Sequence, residues 1–146
     1  VLYQPEIPGN TGNIGRLCVG SGSTLHIIKP CRFLLTDKEI KRAGLDYWPK
    51  LKLQMHDSLE ELYTQHPESR RFYCTTKCSK NYTDMEYRVG DMFVFGPESS
   101  GLPQTILNEH PQSCITIPMH PDIRSFNLSN SVAIILYEAI RQIKLA

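Results

Sequence analysis

Apolar and polar positions along the chain follow two periods. Residues 1–3, 25–28, 51–55, 71–75, 92–95 and 114–117 form short runs rich in β-branched, aromatic or aliphatic side chains, the length and composition of buried strands. Longer stretches between them show the helical period. Residues 13–20 read as a short helix, and 37–43 as another opened by an Asp or the Thr before it. Residues 58–65 begin Ser-Leu-Glu-Glu, the capping-box pattern, and 103–108 begin with a proline, whose missing N–H costs nothing in a first turn. From Asn127 or Ser129 to about residue 145, Leu128, Val132, Ile135, Leu136, Ala139, Ile140 and Ile143 recur every three or four positions, a broad apolar face on a long helix. Strands alternating with helices predict βαβ units, hence an α/β fold with a mainly parallel sheet covered by helices on both faces. In such sheets ligands bind beyond the carboxyl ends of the strands, which directs attention to the loops after Tyr3, Phe95 and Ile117.

The chain of 146 residues has no internal repeat, low-complexity tract or linker, and reads as a single domain over 1–146. An apolar fraction of 40% with 21% charged residues is ordinary for a globular protein, and no run is long enough to span a bilayer, so no membrane association is expected. VLYQPEIPGN has neither a basic n-region nor a long apolar h-region, so no signal peptide is expected. Five cysteines at irregular spacing, the closest pair being Cys74 and Cys78, fit reduced thiols in a cytoplasmic protein better than a zinc knuckle or a disulfide framework. A formal charge of +1 does not announce a nucleic-acid binder, so an RNA partner would need a local patch. Lys38, Lys41, Arg42, Lys50, Lys52, Arg70, Arg71 and Arg124 are the candidates, although scattered charges are more often a solvated face.

Common chemical motifs fail in turn. In GPESSGL, Gly96 and Gly101 have the P-loop separation, but Leu102 stands where a lysine must reach the phosphates. Gly20-Ser-Gly22 lacks the third glycine of a dinucleotide fingerprint and precedes a strand where the fingerprint should follow one. No G-x-S-x-G or H-E-x-x-H occurs and the five histidines are dispersed, so hydrolase and metal-site readings have no support; His120 is read as a surface or packing residue.

Three stretches remain. Residues 8–16, with their small residues and amides, lead into a helix and present free N–H groups, with Arg16 one turn in. Residues 93–103, FVFGPESSGLP, place bare backbone at Gly96 and Gly101 with the Glu98 carboxylate beside it. Residues 117–131 form a polar, proline-bounded loop that enters the last helix.

Taken together, NTGNIGR, FVFGPESSGLP and IPMHPDIRSFNLSNSVAIILYEA resemble motifs 1, 2 and 3 of the SPOUT superfamily of S-adenosylmethionine-dependent RNA methyltransferases, in order and over almost the whole chain. KRAGLDY at 41–47 and SFNLSNS are similar to the small single-domain branch, the TrmL (YibK) type, which methylates the ribose 2′-oxygen of the tRNA wobble nucleotide. The resemblance implies a Rossmann-like domain whose C-terminal third forms a deep trefoil knot, a departure from the rule that connections do not thread loops. It also implies a homodimer, a cytoplasmic setting, the anticodon arm of tRNA as partner, and cytidine or modified uridine at the wobble position of leucine tRNAs as target. S-adenosylmethionine is the implied cofactor, with no metal.

Carried residue by residue, the resemblance implies a donor site built from Cys74, Thr75, Gly96, Glu98, Gly101, Ile117, Met119, Ser125 and Leu128, where main chain reads the adenine. Cys74 departs from the aliphatic residue frequent there. Implied for catalysis are Arg16, Asn10, Glu98, Ser125, Asn127 and Tyr137, with Arg124 and Asn130 as RNA contacts. A guanidinium stays protonated in proteins, so stabilising a developing alkoxide or clamping a phosphate is an easier role for Arg16 than that of base. Tyr137 on an amphipathic helix also fits packing or an interface. Other readings are a SPOUT enzyme acting on another RNA, a non-catalytic member that binds donor or RNA, and a nucleotide-dependent oxidoreductase, which the missing fingerprint disfavours. The small branch works without an appended RNA-binding domain, which favours the tRNA reading.

Overall fold

A computed structural model describes residues 1–33, 38 and 46–145. The expected helix over 37–43 and most of the 41–47 stretch lie outside the described residues. Among the described residues the strands are β1 (Leu2–Tyr3), β2 (Leu25–Ile28), β3 (Leu53–His56), β4 (Arg71–Cys74), β5 (Met92–Phe95) and β6 (Cys114–Ile115). They form one sheet in the order β3-β2-β1-β5-β4-β6, with every pairing parallel. Among the described residues the α-helices that pack with them are α1 (Pro8–Ser21), α2 (Leu59–Gln65), α3 (Gln104–Glu109) and α4 (Leu128–Leu145).

Side chains alternate across the sheet as the period of two requires. Leu2, Ile27, Phe72, Phe95 and Ile115 face one core, where they meet Ile14 and Cys18 of α1 and Leu128, Val132, Ile135 and Ala139 of α4. Ile28, Tyr73, Met92, Val94 and Cys114 face the other, against Leu59 and Leu62 of α2 and Leu107 of α3. Burying an aliphatic side chain contributes about 1.5–3 kcal/mol. Two such layers explain how strands as short as β1 and β6 persist.

The expected strand positions hold, with ends that differ by a residue or two. β3 begins at Leu53 and ends at His56, and β6 stops at Ile115, after which Thr116 makes only an isolated bridge to Asn81. The capping box at α2 forms in modified shape. Ser58 Oγ accepts from Glu61 N–H at 3.0 Å, but the Glu61 carboxylate returns to Asp57 N–H at 2.6 Å, one residue before the cap. Pro103 is the N-cap of α3 and not its first turn.

The start of the first helix is also corrected. Residues 8–16 do not lead into a helix over 13–20; they are its first turns, because Pro8 supplies a pre-set φ at the N-terminus and the helix runs 14 residues. Asn10, Thr11 and Gly12 are buried within it. The helix ends at Gly22, whose φ of 73° gives a left-handed cap, with the Gly22 and Ser23 N–H groups closing on the Val19 and Cys18 carbonyls.

Candidate active site

The carboxyl ends of β4, β5 and β6 open onto a cavity of about 480 Å³. It lies within the usual range for a small-molecule or cofactor site, about 300–1,000 Å³. Three loops make its walls: residues 74–77 after β4, 95–102 after β5, and the stretch from 115 and 117 on to 128 after β6. All nine residues expected to hold the donor, Cys74, Thr75, Gly96, Glu98, Gly101, Ile117, Met119, Ser125 and Leu128, line it, as do Asn10 and Asn127.

The loop after β5 owes its shape to its glycines. A Cβ at Gly96 would stand 2.2 Å from both the Gly101 carbonyl carbon and the Leu102 nitrogen, so the loop doubles back on its own main chain there. The Gly101 N–H closes on the Pro97 carbonyl at 2.9 Å, and Gly101 itself has φ +68° in open space. Close backbone approach was expected at Gly96. Its partner is the loop itself, and the curled backbone this creates forms the cavity wall.

Glu98 organises the region. Its carboxylate accepts from the Glu6 N–H at 2.7 Å, the Ile7 N–H at 3.2 Å and Asn10 Nδ2 at 3.5 Å. Ile7, the N-cap of α1, has no side-chain cap bond of its own, so Glu98 supplies the negative charge that a helix N-terminus favours. The Asn10 Oδ1 in turn accepts from Asn127 Nδ2 at 3.0 Å. The Asn127 Oδ1 accepts from the Ser129 N–H at 2.9 Å and the Asn130 N–H at 3.4 Å, which caps α4. Glu98, Asn10 and Asn127 thus form one chain of hydrogen bonds joining the three motif stretches. In these contacts they orient α1, the loop after β5 and α4.

The rest of the lining is mixed. Phe95, Ile117, Leu128 and Ile135 give an apolar wall, while Lys77 and Arg124 bring positive charge to the rim. Burial pushes the Cys74 thiol up from its ordinary value, so it stays neutral and serves as an apolar wall atom. No cysteine is in a disulfide. Among the described residues no group of three or more His, Cys, Asp or Glu could hold a metal ion, and no helix is long and apolar enough to cross a membrane.

Two of the residues expected for catalysis stand apart from the cavity. Arg16 is exposed on α1, its guanidinium carbon 5.9 Å from the centre of the Tyr47 ring. Tyr47 is fixed by its hydroxyl, which donates to the Gly12 carbonyl at 2.8 Å, and the next residue, Trp48, fills the space left by Gly15. Tyr137 is 47% exposed on α4. Asn130 and Arg124 are also exposed. Sequence reading missed Glu6, and it took Ser99, Lys77, Phe126 and Tyr47 only as parts of longer motif stretches. The available signal for Glu6 was a carboxylate set between Pro5 and Pro8, just before a helix start.

Comparison with known proteins bears on family and fold. Residues 1–137 match the model of the SpoU rRNA Methylase family. A tRNA (cytidine(34)-2′-O)-methyltransferase from Methylovorus glucosotrophus is 50% identical over 143 residues, covering 97% of this chain and 93% of that protein. A solved structure presented as giving insights into the 2-OH methylation of C/U34 on tRNA superposes with a TM-score of 0.93 at 41% identity, covering 99% of this chain and 95% of the other. AviRb, a SpoU methyltransferase from Streptomyces viridochromogenes solved with AdoMet, shares the fold at 21% identity, with a TM-score of 0.84 over 97% of this chain and 56% of its own. The chain belongs to the SpoU methylase family of α/β RNA methyltransferases.

Proposed function

We propose that this chain is an S-adenosylmethionine-dependent tRNA methyltransferase that modifies the ribose 2′-oxygen of the wobble nucleotide, position 34. The observation that carries the reading is the meeting of the three motif stretches around one cavity at the strand carboxyl ends, in a chain so close to a curated enzyme of that activity. The residues fit the donor. Apolar Ile117, Leu128 and Phe95 suit an adenine ring, and curled main chain at 96–101 offers N–H and C=O groups to its edges.

When bound, the donor supplies an electrophilic methyl group. The chain's residues have three tasks. The Glu98–Asn10–Asn127 network fixes the loops so that the acceptor oxygen meets that carbon in line at near-attack distance. Lys77 and Arg124 at the rim hold RNA phosphate, and a splayed-out wobble nucleotide suits an unpaired loop. Arg16 stabilises the 2′-oxyanion as its proton leaves, a role that a permanently charged guanidinium can fill.

The same reading includes a homodimer. α4 leaves Ile134, Leu136, Ile140 and Ile143 only partly buried and Tyr137 exposed, and Arg16 stands outside its own chain's cavity. An isologous pairing that covers α4 and carries Arg16 and Tyr137 to the partner's site accounts for both. It also includes one folding unit over the whole chain, a trefoil knot and a cytoplasmic location. Supporting the knot, β6 lies at the sheet edge, yet residues 117–127 bring the chain back past the loops after β4 and β5 to α4, packed on α1.

Calorimetry of the wild type with S-adenosylhomocysteine is expected to show binding and NAD none; binding of NAD alone would favour an oxidoreductase. Arg16→Ala is expected to keep that affinity and to lose methyl transfer about a hundredfold or more, the scale of a lost oxyanion donor. Near-normal transfer by the variant would remove Arg16 from the mechanism.

A further inference from the structure

Glu98 is one half of a two-way clasp. The loop after β5 reaches across with Glu98 to the Glu6 and Ile7 N–H groups, and Glu6 reaches back. Its Oε1 accepts from the Ser99 N–H at 2.9 Å and from Ser99 Oγ at 2.6 Å. Each carboxylate satisfies backbone N–H of the other's segment. All are charge-assisted, and those of Glu6 N–H to Glu98 and of Ser99 to Glu6 have the short length of the strong kind. The Glu6 side chain is only 12% exposed, and its second oxygen meets Arg32 Nη1 at 3.1 Å. The Ser99 bonds, before any contribution from Arg32, hold the Glu6 carboxyl below its ordinary value, so it is ionised at neutral pH.

Three consequences follow. Ser99 lies in the cavity wall between Glu98 and Ser100, so whatever fixes Ser99 fixes the curl of that wall. Glu6 itself is absent from the lining, and its side chain reaches the wall through Ser99. Residues 4–7 lead into α1, which carries Asn10 and Arg16, so the clasp joins the wall of the donor cavity to the helix that bears the proposed catalytic arginine.

The geometry points to Glu6 as a positioning residue for methyl transfer: through its bonds to Ser99 it holds the 96–101 loop in the donor-binding shape and in register with α1. This deepens the reading given above and rests on it. A free loop would have to be ordered by the ligand, which lowers affinity. With Glu6 in place the ordering is already done.

The test is calorimetry with S-adenosylhomocysteine on the wild type, Glu6→Ala, Glu6→Gln, Ser99→Ala and the Glu6→Ala/Ser99→Ala double variant, with thermal melts of each. Wild-type binding is the control, since its absence would defeat the proposed function itself. Given that control, Glu6→Ala is expected to weaken binding about tenfold, the loss of roughly one charge-assisted hydrogen bond. Glu6→Gln, which keeps an oxygen acceptor for Ser99, is expected to recover to within about threefold, since the loss of charge costs less than the loss of the acceptor. The double variant should fall no further than Glu6→Ala, because both changes break one contact. Wild-type affinity in folded Glu6→Ala, whether or not its melting temperature drops, would overturn the inference. So would additive losses in the double variant, or a Glu6→Gln as weak as Glu6→Ala.

Discussion

Gly96 shows how a single missing side chain shapes the site. Both atoms that a Cβ there would strike, at 2.2 Å, are main chain, and no flexible side-chain end can yield. Gly96→Ala is therefore expected to cost about 1–3 kcal/mol, the range for forcing extra volume into a packed place. A urea melt reads the stability, and an unchanged midpoint would contradict the account. The sequence made a need for bare backbone visible at FVFGPESSGLP, and also the carboxylate beside it. It did not show what approaches Gly96, because Gly101 and Leu102 come near only through the turn between them. Asn10 and Asn127 were likewise legible as polar motif residues, whereas their 3.0 Å bond joins positions 117 residues apart and no local pattern encodes it.

Elements were legible where periodicity decides them. α4 and the strands match their expected places because burial on one face or both imposes the period. α1 begins earlier than expected at Pro8, and the segment that leads into it is held by Glu98 from the loop after β5, which accepts from the Glu6 and Ile7 N–H groups; helix-start rules look at neighbouring residues and cannot see such a partner. A second pairing between elements gives a pH prediction. His26 on β2 is buried, its Nδ1 is 3.0 Å from Nε2 of His56 on β3, and the His66 ring packs edge-on against it. Burial first, then the positive charge at Val1 N, and after these the His56 and His66 imidazoles, lower its pKa to about 4. A folded value below the ordinary 6.5 means that the neutral ring contributes stability in full above about 6.5, and that this is lost as pH falls towards 4. An NMR titration of the His26 ring should give a midpoint near 4; a midpoint near 6.5 would contradict the burial argument.

At the scale of the whole molecule, the fold arranges loops from distant parts of the chain on one side of a parallel sheet. β1 and β5 are neighbours, so the loops after them meet, and the clasp between residues 4–7 and 96–101 follows from that adjacency. The chain's charge of +1 leaves RNA attraction to local groups, of which Lys77 and Arg124 lie at the cavity. The measurement that tests the central claim most directly is incubation with methyl-labelled S-adenosylmethionine and total tRNA, followed by mapping of the modified nucleotide. The account predicts label on the ribose 2′-oxygen of nucleotide 34. Label on a base or on another nucleotide, or transfer to ribosomal RNA and none to tRNA, would contradict it.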